Sequence, residues 1–510
     1  MSAHPVRVST PDPAYDQGLK LAAAGRHFEA IECFERALAL APSDARILFA
    51  LGRTAQTIGQ GALARAFYSQ VLALEPGRIE AVVNLANLLR GEGQFMAARA
   101  LLAPVLAQAG QSPELQLSMG LAWGEDGDPE KAATHYRAAL AIDPGYVPAL
   151  SNLADVLADQ GDAEGARELY SQAIKAAPGN AQARLNRAIL DLMQGALKQG
   201  WRDYEARREI PGKVPATKLT VPEWNGATLK NARLLVRSEQ GVGDELMFAS
   251  LFGELTGRAE AESGSVILEC DPRLVSLFAR SFPKAVVCPA QLSRIEGRIN
   301  ADYGWLKNAG GAGSAVLAGS LPRYLRKSLE DFPQSHAYLK PDMGEQVRWH
   351  GWMAGLGESP AIGICWRSGK TGGHRALQYA PLGAWAEFLK TLPGTLISAQ
   401  YDASAEEIAE LERLSGRTIF VPPGLDQKNE LDRTAGMLSA LDILVSAPTA
   451  VSWLGAGAGV ATLKLLYAKS WTSLGQAHEP LAPSCECVTP EKAGDWQDTF
   501  AKAGAIIAQL

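Results

Sequence analysis

Cysteine is scarce. Six thiols (Cys33, Cys270, Cys288, Cys365, Cys485 and Cys487) are scattered through 510 residues, which excludes a disulfide framework and fits reduced cytosolic thiols. Cys485-Glu486-Cys487 has no second cysteine pair or histidine pair near it, so no zinc site is expected. An excess of positive charge is lacking as well. The formal net charge is −6, and nucleic-acid binders usually carry a basic face, so no nucleic-acid partner is expected. The opening stretch MSAHPVRVSTPDP has no apolar core of the kind a secretory signal needs. Uncharged runs long enough to span a bilayer are almost absent. The one candidate, Ile443 to Leu463, holds Pro448 and three glycines, a composition that suits a strand, a tight turn and a small-residue helix better than a lipid-facing helix. The expectation is a soluble, cytoplasmic chain with no membrane span. With 47% apolar and 20% charged residues it is globular, and its length allows roughly two to four domains.

What is present, first, is an internal repeat. Gly18, Gly52, Ala86, Gly120 and Ala154 fall 34 residues apart. The same step carries Gly25, Gly59, Gly93, Gly127 and Gly161, and again Ala30, Ala64, Ala98, Ala132 and Ala166. An aromatic column holds Phe34, Tyr68, Leu102, Tyr136 and Tyr170, and a closing column Pro42, Pro76, Gly110, Pro144 and Pro178. These columns resemble the tetratricopeptide family, in five copies without a break. Small residues let two helices approach, the ring fills the gap, and proline ends the second helix. Stacked repeats form a curved solenoid with a concave groove. Residues 11–195 are therefore read as five repeats plus a capping helix at Ala181–Met193. Such arrays bind peptides or proteins and do no chemistry; scaffolding or dimerisation is the plainer alternative. Residues 196–229 are read as a docking helix and linker. In it GWRDYEARREI (Gly200–Ile210) puts Trp201 and Tyr204 on one helical face, and Trp224 is an anchor.

From there the period changes. Short apolar strands alternate with helices: Leu234–Val236, Val266–Glu269 and Ala285–Val287, then Ile362–Trp366, Thr395–Ala399, Ile443–Val445 and Leu463–Leu466. Alternation of this kind predicts parallel sheets with crossover helices. Two sets imply two Rossmann-like lobes facing one cleft, at 230–340 and 345–510, with the last helix, about 491–510, crossing back between them. The stretch RLLVRSEQGVGDELMF (Arg233–Phe248) reads as strand, glycine loop and helix, the place where open α/β sheets bind ligands. Asp244 is expected at the N-cap of a helix starting at Glu245. Two tempting motifs fail. Ser368-Gly369-Lys370-Thr371 ends like a phosphate-binding loop but has Ile364 where the first glycine belongs. Gly241-Val242-Gly243 opens a dinucleotide fingerprint whose third glycine would be Leu246.

EQGVGDELMF (Glu239–Phe248), SLPRYL (Ser320–Leu325), ICWRSGKTGGHRALQYAPL (Ile364–Leu382) and DRTAGMLSALDILVSAPTAVSWLGAGAG (Asp432–Gly459) together resemble tetratricopeptide proteins carrying a glycosyltransferase domain of the two-lobed GT-B fold. The likeness extends to heptosyltransferases and O-linked N-acetylglucosamine transferases, and is nearest to the bacterial flagellin glycosyltransferases. That resemblance implies transfer of a sugar from a nucleotide-activated donor, of the type of a CMP-linked nonulosonic acid such as pseudaminic acid, to Ser or Thr of flagellin recruited by the repeats. It implies no further cofactor. Where heptosyltransferase-like members carry Asp-Thr and then a His, this chain has Pro448-Thr449 and Trp453, a departure that fits an altered donor or reduced activity.

Transfer to a hydroxyl needs a base on the acceptor and positive charge or amides on the leaving phosphate. Asp244 is the first candidate base, its alternative being a helix cap, and Glu239 the second. Gly241 and Gly243 let the loop approach the donor. Arg367, Lys370, His374 and Arg375 suit a phosphate or sugar carboxylate, or form an ordinary solvated basic loop. Thr449, Ala450 and Val451 would begin a helix whose free amides face the phosphate. Gln400, at a strand end with Tyr401, would hold base or ribose, or simply end the strand. Trp366, Trp453 and Trp471 read as core or cleft wall. No clustered carboxylates point to Mg²⁺ or Mn²⁺, so metal-independent chemistry is expected. The competing reading is an adaptor whose glycosyltransferase-like half is a degenerate, non-catalytic binding module.

Overall fold

The computed structural model describes residues 13–109, 111–239, 241–295, 297–333, 335–369 and 378–509. The chain divides into two compact units, one ending at Ala183 and the other beginning at Arg184.

The first unit is helical. Its helices pair as Pro13–Ala23 with His27–Leu40, Ala45–Thr57 with Gly61–Leu74, Ile79–Gly91 with Phe95–Gln108, Pro113–Glu125 with Pro129–Ile142, and Val147–Asp159 with Ala163–Ala176. Between the two helices of each pair stands a glycine at positive φ: Gly25 (77°), Gly59 (78°), Gly93 (74°), Gly127 (88°) and Gly161 (88°). That left-handed conformation is the helix stop that glycine alone adopts without strain. Pro42, Pro76, Pro144 and Pro178 each follow two residues after the second helix ends; Gly110 lies outside the described residues.

The small and aromatic columns meet. A Cβ added at Gly18, Gly52 or Gly120 would lie 2.5 Å, 2.6 Å and 2.5 Å from a ring carbon of Phe34, Tyr68 and Tyr136. In the third copy Ala86 and the smaller Leu102 share one buried cluster, and in the fifth the same columns hold Ala154 and Tyr170. Gly120→Ala is therefore expected to cost about 1–3 kcal/mol by overpacking. Adding Tyr136→Leu, which copies the third repeat, should restore part of it. Thermal melts of the two single variants and the double variant check this; strictly additive losses would refute the contact.

The second unit opens with part of helix Ala181–Met193, then Leu197–Tyr204 and a 3₁₀ turn, Glu205–Glu209. Gly195 repeats the left-handed turn at φ 74°, and Tyr204 falls one 34-residue step after Tyr170. The segment expected as a docking helix thus has the form of the second helix of a sixth repeat. Its Trp201 and Tyr204 pack edge-on, 5.7 Å apart, and lie 6.3 Å and 5.4 Å from the ring of Trp471.

Two parallel sheets follow. The N-terminal lobe holds β1 (Arg233–Arg237), β2 (Ser265–Cys270), β3 (Ala285–Pro289) and β4 (Ser314–Leu317), in the order β3-β2-β1-β4. The C-terminal lobe holds β5 (Ala361–Cys365), β6 (Thr395–Ser398), β7 (Ile419–Phe420), β8 (Ile443–Ser446), β9 (Thr462–Leu465), β10 (His478–Glu479) and β11 (Ala482–Val488). Their order is β7-β6-β5-β8-β9-β11-β10, with only β10 antiparallel. Continuous apolar runs such as Leu234-Leu235-Val236, buried on both faces, are what a helix-covered parallel sheet requires. Trp224 anchors the linker by stacking edge-on against Tyr324 at 5.0 Å. The stretch Ile443 to Leu463 folds as strand, turn, helix Ala450–Gly457 and the start of a strand. Among the described residues no helix is long and apolar enough to cross a membrane.

One placement differs. The last helix, Trp496–Ile507, expected to cross back between lobes, buries Phe500, Ala503 and Ile507 in the core of its own lobe. Phe500 stacks on Phe388 at 4.7 Å and meets Trp385 at 5.2 Å. That apolar stripe decides where the helix goes. The lobes are joined instead by the connector: Tyr338 and Leu339 donate their N–H groups to the Gly457 carbonyl, and Tyr338 Oη donates to the Leu246 carbonyl.

Candidate functional site

β1 delivers the glycine loop to the carboxyl edge of the N-terminal sheet. The helix after it runs from Val242 to Ala249, with Gly241 as N-cap at φ −108°, ψ 168°. It starts three residues earlier than expected, because Gly241 takes the extended cap conformation. Asp244 therefore lies inside the first turn, not at the cap. Its Oδ2 accepts from the Gly241 N–H at 3.3 Å, which is one half of a capping box, glycine having no side chain to supply the other. The carboxylate is half-buried, whereas Glu245 beside it is buried. Burial pushes the Glu245 carboxyl up to about 8, and the nearby Asp271 and Glu269 charges add to this, against the Asp271 N–H that Glu245 accepts.

The C-terminal lobe presents a matching helix start. Thr449 caps helix Ala450–Gly457, its Oγ1 accepting from the Val451 N–H at 3.2 Å. The helix begins at Ala450, one residue later than expected, with Thr449 outside it as the cap. The two helix starts approach one another: a Cβ on Gly243 would lie 3.5 Å from the Ala450 Cα. Gly241, Gly243, Asp244, Thr449, Ala450 and Val451 are brought to one place, between the carboxyl ends of two parallel sheets. Backbone amides at helix N-termini carry partial positive charge and favour anions there.

Other expected site residues are committed elsewhere. Glu239 is 2% exposed, and both its oxygens are held: Arg207 Nε donates to Oε2 at 2.9 Å, and Arg207 Nη2 and the Gly319 N–H donate to Oε1 at 2.8 Å and 2.7 Å. Glu239 is a structural counter-ion in this arrangement. Arg367 gives its fork to two carboxylates, with Nε on Glu407 at 2.6 Å, Nη2 on Glu407 and on the Asp402 carbonyl, and Nη1 on Asp402 at 2.9 Å. The Arg367 guanidinium holds the Glu407 carboxyl below its ordinary value. Gln400 is 3% exposed and ties two strand ends together. Its Oε1 accepts from the Trp366 and Arg367 N–H groups at 3.0 Å each, and its Nε2 donates to the Arg367 carbonyl at 3.0 Å. Lys370, His374 and Arg375 lie outside the described residues. Trp366 is buried and Trp453 nearly so; the Trp453 ring covers the Lys464 ammonium at 4.1 Å, and Lys464 pairs with buried Glu479.

Sequence reasoning missed the partners in these pairs. Glu407 stands in a readable capping box, Ser404 to Glu407, but nothing in the sequence ties it to Arg367. Arg207, in the turn after the repeats, carries no local signal at all.

Models of the tetratricopeptide repeat match residues 15–79, 58–121, 125–170 and 151–209. Residues 15–209 carry tetratricopeptide repeats. The last match takes in the Leu197–Tyr204 helix. The chain is 29% identical over 489 residues, 95% of its length and 82% of the relative's, to protein FlbA of Caulobacter vibrioides. It is 37% identical over 94 residues to the probable biofilm formation methyltransferase WspC of Pseudomonas aeruginosa, and 26% identical over 179 residues to the human protein O-mannosyl-transferase TMTC1. These two matches span only 22% and 20% of those proteins. Among solved structures, a thermophilic TPR protein of Thermus thermophilus is 26% identical, covering 35% of this chain and 97% of its own, with a TM-score of 0.32.

Proposed function

We propose that this tetratricopeptide protein is a protein O-glycosyltransferase of the GT-B type, transferring a sugar from a nucleotide-activated donor to Ser or Thr of flagellin. One observation carries the reading: the helix starts at Gly241–Asp244 and at Thr449–Val451 come together at the carboxyl edges of two parallel sheets, where α/β folds hold phosphorylated ligands. In this reading Asp244 takes the proton of the acceptor hydroxyl. The hydroxyl oxygen attacks the anomeric carbon, and the nucleotide phosphate leaves toward the amides at Ala450 and Val451 and the Thr449 hydroxyl. Arg367 positions the adjoining turn and is not a phosphate ligand. The donor is a CMP-linked nonulosonic acid such as pseudaminic acid, and the repeats recruit the acceptor.

Asp244→Asn keeps an oxygen to accept from the Gly241 N–H, so its melting temperature should stay at the wild-type value. Transfer should fall about 10²–10⁴-fold, the usual weight of a general base. The check is the intact mass of flagellin from cells carrying either form. A full nonulosonic-acid increment with Asp244→Asn would move the base elsewhere.

The commitment of Arg367, Glu239 and Gln400 to internal partners favours the second reading, a non-catalytic adaptor. It predicts flagellin of unchanged mass whether the protein is present or deleted, and no binding of CMP-sugars by the purified chain.

A further inference from the structure

Arg237, the last residue of β1, is a nearly buried cation with no carboxylate in direct contact; Glu269 acts on it at a distance and through Tyr303. It is 9% exposed, and among the described residues no carboxylate lies within ion-pair distance of it. Its Nε donates to Tyr303 Oη at 3.0 Å, and its guanidinium carbon stands 5.5 Å from the centre of that ring. Tyr303 Oη in turn donates to Glu269 Oε2 at 2.8 Å, and that oxygen also accepts from the Ser238 N–H at 3.0 Å. A phenol has one proton. With it given to Glu269, Tyr303 accepts from Arg237, and the direction of the chain is fixed. Burial raises the pKa of the Tyr303 phenol, so it stays neutral.

The terminal Nη1 and Nη2 groups of Arg237 have no acceptor among the described residues, yet they are not among the fully enclosed unpaired atoms. They are not fully enclosed, and Arg237 itself stands at the carboxyl end of its strand. Glu269, 2% exposed, closes the far end of this chain; its Oε1 has no partner among the described residues and, being an acceptor, is no part of an anion site. Compare Arg207 and Arg367, whose forks are filled by carboxylates.

We infer that Arg237 is an oxyanion-binding residue, its two Nη groups taking two oxygens of a carboxylate or phosphate on a ligand that enters at the carboxyl edge of the N-terminal sheet. A planar fork with two parallel N–H donors fits that group and no neutral one as well. Tyr303 is a positioning residue: by accepting from Nε it turns the fork outward, and Glu269 fixes the phenol. The site does not depend on the proposed transfer reaction, and its test is separate from flagellin mass.

The test is calorimetric titration of the full chain with inorganic phosphate and, separately, with N-acetylneuraminic acid, which has a carboxylate and no phosphate. Wild type should bind at least one of them, and the probe that binds names the anion. Arg237→Lys, which keeps the charge but not the fork, should weaken that binding about ten-fold with an unchanged melting temperature. Tyr303→Phe should weaken it several-fold, and the double variant should lose no more than Arg237→Lys alone, as expected of groups that act as one. Equal affinity in wild type and Arg237→Lys, or no binding of either probe by wild type, overturns the inference. So does a double variant in which the losses add. Binding through Arg237 together with unchanged flagellin mass would leave this site standing and remove the transferase reading.

Discussion

Arg207→Met should destabilise the α/β unit by about 3–5 kcal/mol, a fall of very roughly 5–15 °C in its melting temperature. Both partners are out of water, with side chains 2% and 1% exposed. Removing the guanidinium strands the Glu239 carboxylate beside the Gly319 N–H and Ser320, with no cation to balance it. The loss is the desolvation of an unpaired charge and not the value of one contact, which makes it larger than for any surface pair in the chain. A second change separates the two. Adding Glu239→Gln removes the stranded charge while keeping an oxygen for the Gly319 N–H, and should recover a large part of the stability. Denaturant unfolding of the three variants measures this. An Arg207→Met protein as stable as wild type would mean that the pair contributes nothing.

Glu245→Gln should act in the opposite sense and depend on pH. The Glu245 carboxyl, pushed up to about 8 from an ordinary 4.5 by burial, holds its proton in the folded chain after the unfolded chain has lost it. Folding is then favoured at low pH. The contribution is complete below about 4.5 and is lost as pH rises through about 8, where the folded carboxyl also ionises. A shift of this size corresponds to roughly 5 kcal/mol. Glutamine imitates the protonated acid at every pH and still accepts from the Asp271 N–H. The variant should therefore match wild type near pH 5 and exceed it by several kcal/mol at pH 9. Carboxylates held low by cations, such as Glu407 beside Arg367, titrate below this window and cancel between the two proteins. Parallel stability curves from pH 5 to pH 9 would exclude a buried neutral Glu245.

The repeats and the parallel strands were legible because their signals are local. A left-handed glycine every 34 residues and a run such as Leu234-Leu235-Val236 need no distant partner to be recognised. β4 was hidden by the glycine run in front of it. The hairpin Leu292–Ile295 with Arg298–Ala301 was hidden because its first strand is exposed along its whole length and has no apolar face to alternate. In the site, the two helix starts could be read, since a glycine loop after a buried strand constrains the backbone. The roles of charged side chains could not. Arg367 looks like a phosphate ligand from its loop, yet the acids that fill its fork lie 35 and 40 residues further on. Arg237 gave no local sign, because what marks it is the lack of an acceptor around it in three dimensions.

The hairpin formed by the last repeat-like helix and its turn touches both halves of the α/β unit. Arg207 plugs into the N-terminal lobe at Glu239 and Ser320, while Trp201 and Tyr204 seat against Trp471 of the C-terminal lobe. Across the unit, Arg280 pairs with Asp432 by a contact that is partly open to solvent. The two fastenings differ in kind: one is dry, aromatic rings beside a buried ion pair, and the other is wet and ionic. Should the lobes part, salt would loosen the ionic side first, and the aromatic side would serve as the pivot.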